Sequence, residues 1–316
     1  MSCNLIEVRE LTKKYGAKAA LENVSFSVGS GEVVGLLGLN GAGKSTTMNI
    51  LTGYIKATSG SVTINGHDIV EKPREAKRII GYLPEQMAYY TDMRVQEYLS
   101  FVCDLKGVKR EERTLDGICE KVGIAHIRKR MIRNLSKGYR QRMGLAQALV
   151  GKPKVLILDE PTVGLDPSQI TEIRTLIKEI GSTRTVIFSS HILSEVQALC
   201  SRVIVLHGGR LLADDSPGGL TREHGALRHR VSALIKGEPE DVLRALGALG
   251  RAKIVEQSGD REPGAFRYTV ESEDGRDIRE EVFRALAAAD LPLLCTYASE
   301  LSLEDVFLGL ISGQIG

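Results

Sequence analysis

No stretch of this chain approaches the ~20 consecutive apolar residues that a membrane-crossing helix needs. The five cysteines, Cys3, Cys103, Cys119, Cys200 and Cys295, are scattered and show no CxxC spacing. They read as reduced thiols, which argues against a disulfide frame and against a zinc site. Met1 to Leu5 lack a basic region followed by an apolar core, so no secretory signal is read there. The net charge of +2 is too small to argue for nucleic acid. Neither an Asn-Lys-x-Asp base-reading motif nor a His-Arg-Asp loop occurs, which disfavours a GTPase and a protein kinase.

What remains is the composition of an ordinary globular protein with ample core material: 316 residues, 42% hydrophobic and 26% charged. That length suggests about two domains. Charge divides unevenly. From Leu220 to the end there are 12 Lys and Arg against 17 Asp and Glu, a balance of −5 that leaves +7 on the rest.

The most informative segment is Gly38-Leu39-Asn40-Gly41-Ala42-Gly43-Lys44-Ser45-Thr46, a full match to G-x-x-x-x-G-K-[ST]. Glu32 to Leu37 before it reads as a buried strand, and Lys44 to Leu51 after it as a helix, the context the motif requires. Gly38, Gly41 and Gly43 let the backbone bend so that successive N–H groups aim at phosphate oxygens. The helix dipole adds to that attraction. Lys44 supplies a point charge for the β- and γ-phosphates, and Ser45 an oxygen for Mg²⁺.

Short strand patterns dominate residues 1 to about 80, helical patterns residues 95–150, and alternation returns over 151–215. Val155-Leu156-Ile157-Leu158 reads as a buried strand, Thr185 to Phe188 as another, and Arg202–Leu206 with Arg210–Ala213 as a hairpin across Gly208-Gly209. Ser168 is expected to cap a helix whose apolar side is Ile170, Ile173, Leu176, Ile177 and Ile180. Strands separated by helices imply a parallel sheet with helices on its faces. Ser216-Pro217-Gly218-Gly219 reads as a linker. Beyond it the pattern is strand 228–235, helix 239–249, strand 253–257, strand 266–270, helix 276–289 and strand 293–297, a β-α-β-β-α-β, ferredoxin-like order. A last helix, Leu303 to Leu310, has Ser302 as its expected cap. The expected division is 1–218, with a helical subdomain at about 90–150, and a small α+β domain at 219–316.

Asp159 and Glu160 follow an apolar strand, and in a parallel sheet strand C-termini face the ligand crevice. Asp159 is placed to hold Mg²⁺, and Glu160 to orient and polarise an attacking water. Ser136, in Asn134-Leu135-Ser136-Lys137-Gly138-Tyr139-Arg140-Gln141-Arg142, precedes a helix and reads on structure alone as an ordinary N-cap. That segment resembles the signature motif of ATP-binding cassette (ABC) ATPases. The other marks of the family stand in its order: Tyr15 in Lys13-Lys14-Tyr15-Gly16, the glycine loop, Gly81-Tyr82-Leu83-Pro84-Glu85-Gln86, Asp159-Glu160, Gly164-Leu165-Asp166 and Ser190-His191. The resemblance covers about residues 1–215.

It implies ATP and Mg²⁺ as ligands, and a fold with a parallel sheet core, an antiparallel β subdomain and a helical subdomain. Tyr15 would stack on adenine; a strand-end core aromatic is the plain alternative. The loop residues Asn40, Gly41, Ala42, Gly43, Lys44, Ser45 and Thr46 would hold the phosphates. Ser136 and Gly138 would contact the γ-phosphate bound to a second cassette, in a head-to-tail dimer of identical or paralogous subunits. His191 would reach the γ-phosphate and the water beside the catalytic Glu160 and Lys44. Asp166 would cross the dimer interface, or serve as a turn or helix cap.

Two departures stand out. Lys137 and Tyr139 occupy places where the family usually has a glycine and a glutamine. Glu85 falls where a metal-contacting glutamine is usual, with Gln86 one place later, so either could sense the metal. Both variants, and the tail Leu301 to Phe307, resemble the branch that serves ABC-2-type exporters, including gliding-motility and Na⁺ or drug export types. That implies an ATP-hydrolysing motor, cytoplasmic and peripheral on the inner face of the membrane, driving separate ABC-2-type transmembrane permease subunits through the helical insert, with no nucleic acid as partner. The alternative is a soluble cassette ATPase acting on ribosomes or nucleic acid; the second cassette, coiled-coil insert or zinc modules usual there are not found in the sequence. For the C-terminal unit, an interaction role is favoured over a small-ligand module, since Glu271, Glu273, Asp274 and Asp277 mark no pocket.

Overall fold

The computed structural model describes residues 4–225, 230–250, 252–260, 262–272, 276–299 and 302–312. Chain contacts divide it into two units, Met1–Ser216 and Pro217–Gly316.

The first unit is built on two sheets. An antiparallel sheet of order β2-β1-β4-β5 contains β1 (Asn4–Tyr15), β2 (Lys18–Gly29), β4 (Ser59–Ile64) and β5 (His67–Asp68). The second sheet has the order β10-β9-β3-β8-β7-β6. It contains β3 (Val33–Leu37), β6 (Ile80–Leu83), β7 (Val155–Leu158), β8 (Thr185–Ser190), β9 (Arg202–His207) and β10 (Arg210–Asp215). All its pairings are parallel except the β9–β10 hairpin. The strands β7 and β8 are buried along their whole length, as strands covered on both faces must be. One apolar core, with Ile6, Leu36, Met48, Ile64, Ile157 and Ile187 fully or nearly fully buried, joins the two sheets through α1 (Lys44–Leu51).

Helices α2 (Pro73–Arg78), α3 (Val95–Lys106), α4 (Glu112–Lys121) and α5 (Lys137–Leu149), with two 3₁₀ turns at Ala125–Ile127 and Ile132–Asn134, lie between β5 and β7 in sequence. Ser136 is the N-cap of α5, its hydroxyl accepting from Tyr139 N at 3.4 Å. Helix α6 (Pro167–Gly181) starts one residue before the expected cap. Asp166, not Ser168, is the N-cap, accepting from Gln169 N at 2.9 Å, and Ser168 Oγ donates to the same carboxylate at 2.7 Å. Pro167 explains the shift: its fixed φ and missing N–H suit the first helical position. A short α7 (Leu193–Leu199) separates β8 from β9.

The second unit contains α8 (Pro217–Gly225), β11 (Arg230–Lys236), α9 (Pro239–Gly247), β12 (Ala252–Gly259), β13 (Ala265–Ser272), α10 (Arg279–Ala288), β14 (Leu293–Ser299) and α11 (Leu303–Ser312). Its antiparallel sheet runs β12-β13-β11-β14, with the outer chain segments pairing in the order of a split β-α-β. Val231, Ile235, Val242, Leu246, Tyr268 and Val282 form its own core. Helix α10 begins three residues later than the sequence suggests, because Asp277 Oδ1 accepts from Arg279 N at 3.1 Å and forms a turn first. Ser302 caps α11: its hydroxyl accepts from Asp305 N at 3.1 Å, while Asp305 accepts from Ser302 N at 3.0 Å. Arg228, Glu273, Asp274 and Leu301 lie outside the described residues.

Candidate functional site: a phosphate loop facing two carboxylates and an imidazole

Adjacent parallel strands assemble the site. Strand β3 pairs with β8, and β8 pairs with β7. Leu37 is level with Ser190, and Leu158 with Phe188. The glycine loop, His191 and the Asp159-Glu160 pair therefore leave one edge of the sheet, at the strand C-termini where α/β proteins bind ligands.

Within the loop, Gly41 and Gly43 have φ of 83° and 109°, a region closed to most side chains. At Gly43 a Cβ would also meet Leu21 Cδ2 at 2.6 Å and Ala20 O at 2.9 Å. Ala42 is buried beneath the loop, its N donating to Leu39 O at 3.0 Å and its O accepting from Gly209 N at 3.1 Å. Helix α1 opens on Gly43 with no side-chain cap, so its first N–H groups remain available to an anion. Tyr15, Asn40, Gly41, Gly43, Lys44, Ser45, Thr46, Glu85, Glu160 and His191 line a cavity of about 620 Å³ around this loop. Tyr15 is 54% exposed, not a core residue, and Lys13 Nζ lies 5.0 Å from its ring centroid.

Glu160 sits between Lys44 and His191. Its Oε1 lies 3.4 Å from Lys44 Nζ and its Oε2 2.9 Å from His191 Nδ1. Lys44 also donates to Gly38 O at 2.7 Å. Glu160 has a φ of 47°, a costly conformation for a residue with a side chain. Ser189 helps to hold it, accepting from Glu160 N at 2.9 Å while donating to Asp159 Oδ1 at 2.5 Å.

Asp159 is buried and accepts from Ser45 Oγ at 3.3 Å. Burial pushes its carboxyl above the usual range, with the nearby charges of Glu85 and Glu160 adding to the rise and the Ser189 and Ser45 hydrogen bonds opposing it. These features fit Mg²⁺: hard oxygen donors already side by side, and a buried carboxylate that a divalent cation would relieve. Among the described residues no three His, Cys, Asp or Glu side chains group to hold a metal by themselves. Of the two candidate sensors, Glu85 lines the phosphate cavity, and with Ser45 and Asp159 it lines the adjoining one; Gln86 lines only the latter.

Ser136 and Gly138 do not line the phosphate cavity of their own chain. Ser136 is exposed at the tip of α5, and Gly138 is buried against Gln169, whose Oε1 lies 2.7 Å from where a Cβ would stand. Lys137 covers the position a Cβ on Gly164 would take, so two of the family marks touch here. Sequence reasoning passed over Ser189 as a functional residue, and over Thr162 and Glu195 altogether. The available signal was polar side chains where a run of buried strand and turn residues is otherwise apolar.

The geometry makes the chain a P-loop nucleoside triphosphatase. A family model described as ABC transporter matches residues 21–163. The bacitracin transport ATP-binding protein BcrA of Bacillus licheniformis is 33% identical over 98% of this chain and 98% of its own length. The lantibiotic transport ATP-binding protein SrtF of Streptococcus pyogenes is 38% identical over 68% of this chain and 92% of its own. A solved ATP-binding subunit of an ABC transporter superposes with a TM-score of 0.65 at 31% identity, covering 70% of this chain and 93% of that one. The chain belongs to the ABC transporter family as an ATP-binding subunit, and is an ATPase. The ribosomal or nucleic-acid alternative finds no support in these relatives.

Proposed function

We propose that this protein is the motor subunit of an ABC-2-type exporter, acting with Mg²⁺·ATP on the cytoplasmic face of the membrane. Among the described residues no helix is long and apolar enough to cross a membrane, so the translocation path belongs to separate permease subunits. Transport relatives that match over nearly the whole chain support the reading. The observation that carries it is the split between the two halves of the site. The loop, Glu160 and His191 share one cavity, while Ser136 and Gly138 do not line it. Their helix N-terminus is an anion site with no phosphate of its own chain to serve, so a second cassette, identical or paralogous, supplies one.

In this arrangement Tyr15 stacks on the adenine, and Lys44 leaves Glu160 for the β- and γ-phosphates. Glu160 then accepts the proton of the attacking water. His191 keeps Nδ1 on Glu160 and presents Nε2 to the γ-phosphate. Ser45, Asp159 and Glu85 would hold Mg²⁺, which supplies charge neutralisation on the phosphates when bound.

A cavity of about 790 Å³ between the sheet and the helical subdomain is the proposed seat of the permease. Tyr54, Tyr90 and Leu105 stand exposed on it, at 79%, 61% and 70%, and Ser45 and Asp159 line it too. An exposed apolar patch of that kind marks a protein contact. Co-purification with permeases encoded beside it, and stimulation of ATPase activity on reconstitution with them, tests the assignment. Full basal activity with no permease bound contradicts it.

A further inference from the structure

Glu195 is a buried carboxylate, 1% exposed, in the first turn of α7, outside the nucleotide cavity. Its Oε2 accepts two hydrogen bonds, from Thr162 Oγ1 at 2.9 Å and from Ser190 Oγ at 2.8 Å. Both hydroxyls are themselves buried. Thr162 stands two residues after Glu160 and Ser190 immediately before His191, so one oxygen ties the two segments that carry the 2.9 Å Glu160–His191 contact. Oε1 faces Arg174 Nη2 at 3.4 Å, from the helix that Asp166 caps. A carboxylate this deep is costly unless it is paired and hydrogen-bonded, and all three partners come from separate elements around the site.

We infer that Glu195 is a positioning residue for hydrolysis. It fixes the separation and angle of Glu160 and His191 by clamping Thr162 to Ser190, with Arg174 balancing its charge. The inference rests on the roles given above to Glu160 and His191.

The test combines steady-state kinetics with thermal melting of Glu195→Ala, Glu195→Gln, His191→Ala and the Glu195→Ala/His191→Ala double variant. Glu195→Ala is expected to lower kcat by about 10–100-fold, as small misplacements of reacting groups do, with KM for ATP little changed. Glu195→Gln keeps an acceptor oxygen for both hydroxyls and should recover most of that loss. In the His191→Ala background Glu195→Ala should cost no further kcat, because the geometry it maintains is already gone. An equal loss of kcat with and without His191, or a lowered Tm with kcat of the folded enzyme unchanged, overturns the inference. An unchanged kcat for His191→Ala itself would sink the reading of the pair and this inference with it. Should Glu195→Ala not fold, Thr162→Val removes one donor at constant shape and is read by the same outcomes.

Discussion

His191 Nδ1 lies 2.9 Å from Glu160 Oε2, so the carboxylate fixes how the imidazole is turned. Glu160 is only 7% exposed, whereas the His191 side chain is 42% exposed. The carboxylate is the buried partner and the ring the exposed one. His191→Ala is therefore expected to leave ATP binding intact and to lower kcat by about 10²-fold or more, within the usual range for proton-handling and charge-stabilising groups. Nucleotide binding and turnover measured on the same preparation check this, and a parallel loss of both contradicts it.

Lys44 makes its contacts to Gly38 O and Glu160 from inside the cavity. Lys44→Ala removes the charge meant for the phosphates and leaves Glu160 without one of its two partners. ATP binding is expected to fall and turnover to drop by at least about 10²-fold. Fluorescent-nucleotide titration and phosphate release measure the two effects.

Asp159 gives a prediction with a definite sign. Its folded-state pKa is raised, chiefly by burial. The native state thus binds this proton more tightly than the unfolded chain, and the stability contributed is full below about pH 4 and lost as pH rises through the folded value. Above that value the ionised group is a cost to the nucleotide-free protein. Asp159→Asn retains an oxygen to accept from Ser189 and Ser45. It should raise Tm at pH 7 by a margin that shrinks toward pH 4, while metal-dependent turnover is lost. A lower Tm at pH 7 for Asp159→Asn contradicts the argument.

Glu85 and Gln86 separate by position. Glu85 borders both cavities and Gln86 one. Glu85→Ala should weaken the apparent affinity for Mg²⁺ by about tenfold, as loss of a group supporting a metal does, whereas Gln86→Ala should leave it near wild type. Mg²⁺ titration of the ATPase rate distinguishes them; the reverse order assigns the sensor to Gln86.

The nucleotide site was legible because its chemistry is local. The glycine loop needs neighbours in sequence, and Val155–Leu158 followed by Asp159-Glu160 is a continuous pattern. The strand β7 and helix α1 have the limits their apolar runs suggested. The N-cap of α6 was misplaced because Asp166 and Ser168 are both good caps, and only the position of Pro167 decides between them. Ser189, Thr162 and Glu195 were illegible for a different reason. Their roles depend on which strand ends meet across β7 and β8, a long-range pairing that no local pattern records. In the second unit the alternation in β11 and β13 was readable, because one face of each strand is buried against α9 and α10.

The central claim is that ATP is closed between the loop of one cassette and the Ser136 tip of another. Glu160→Gln keeps the shape of the site and removes its base, so the sandwich should form and persist. Size-exclusion chromatography with multi-angle light scattering on Glu160→Gln with Mg²⁺·ATP should show a dimer, and the added change Ser136→Arg should return it to monomer. A Glu160→Gln protein that stays monomeric at saturating ATP, or a dimer indifferent to Ser136, contradicts the account.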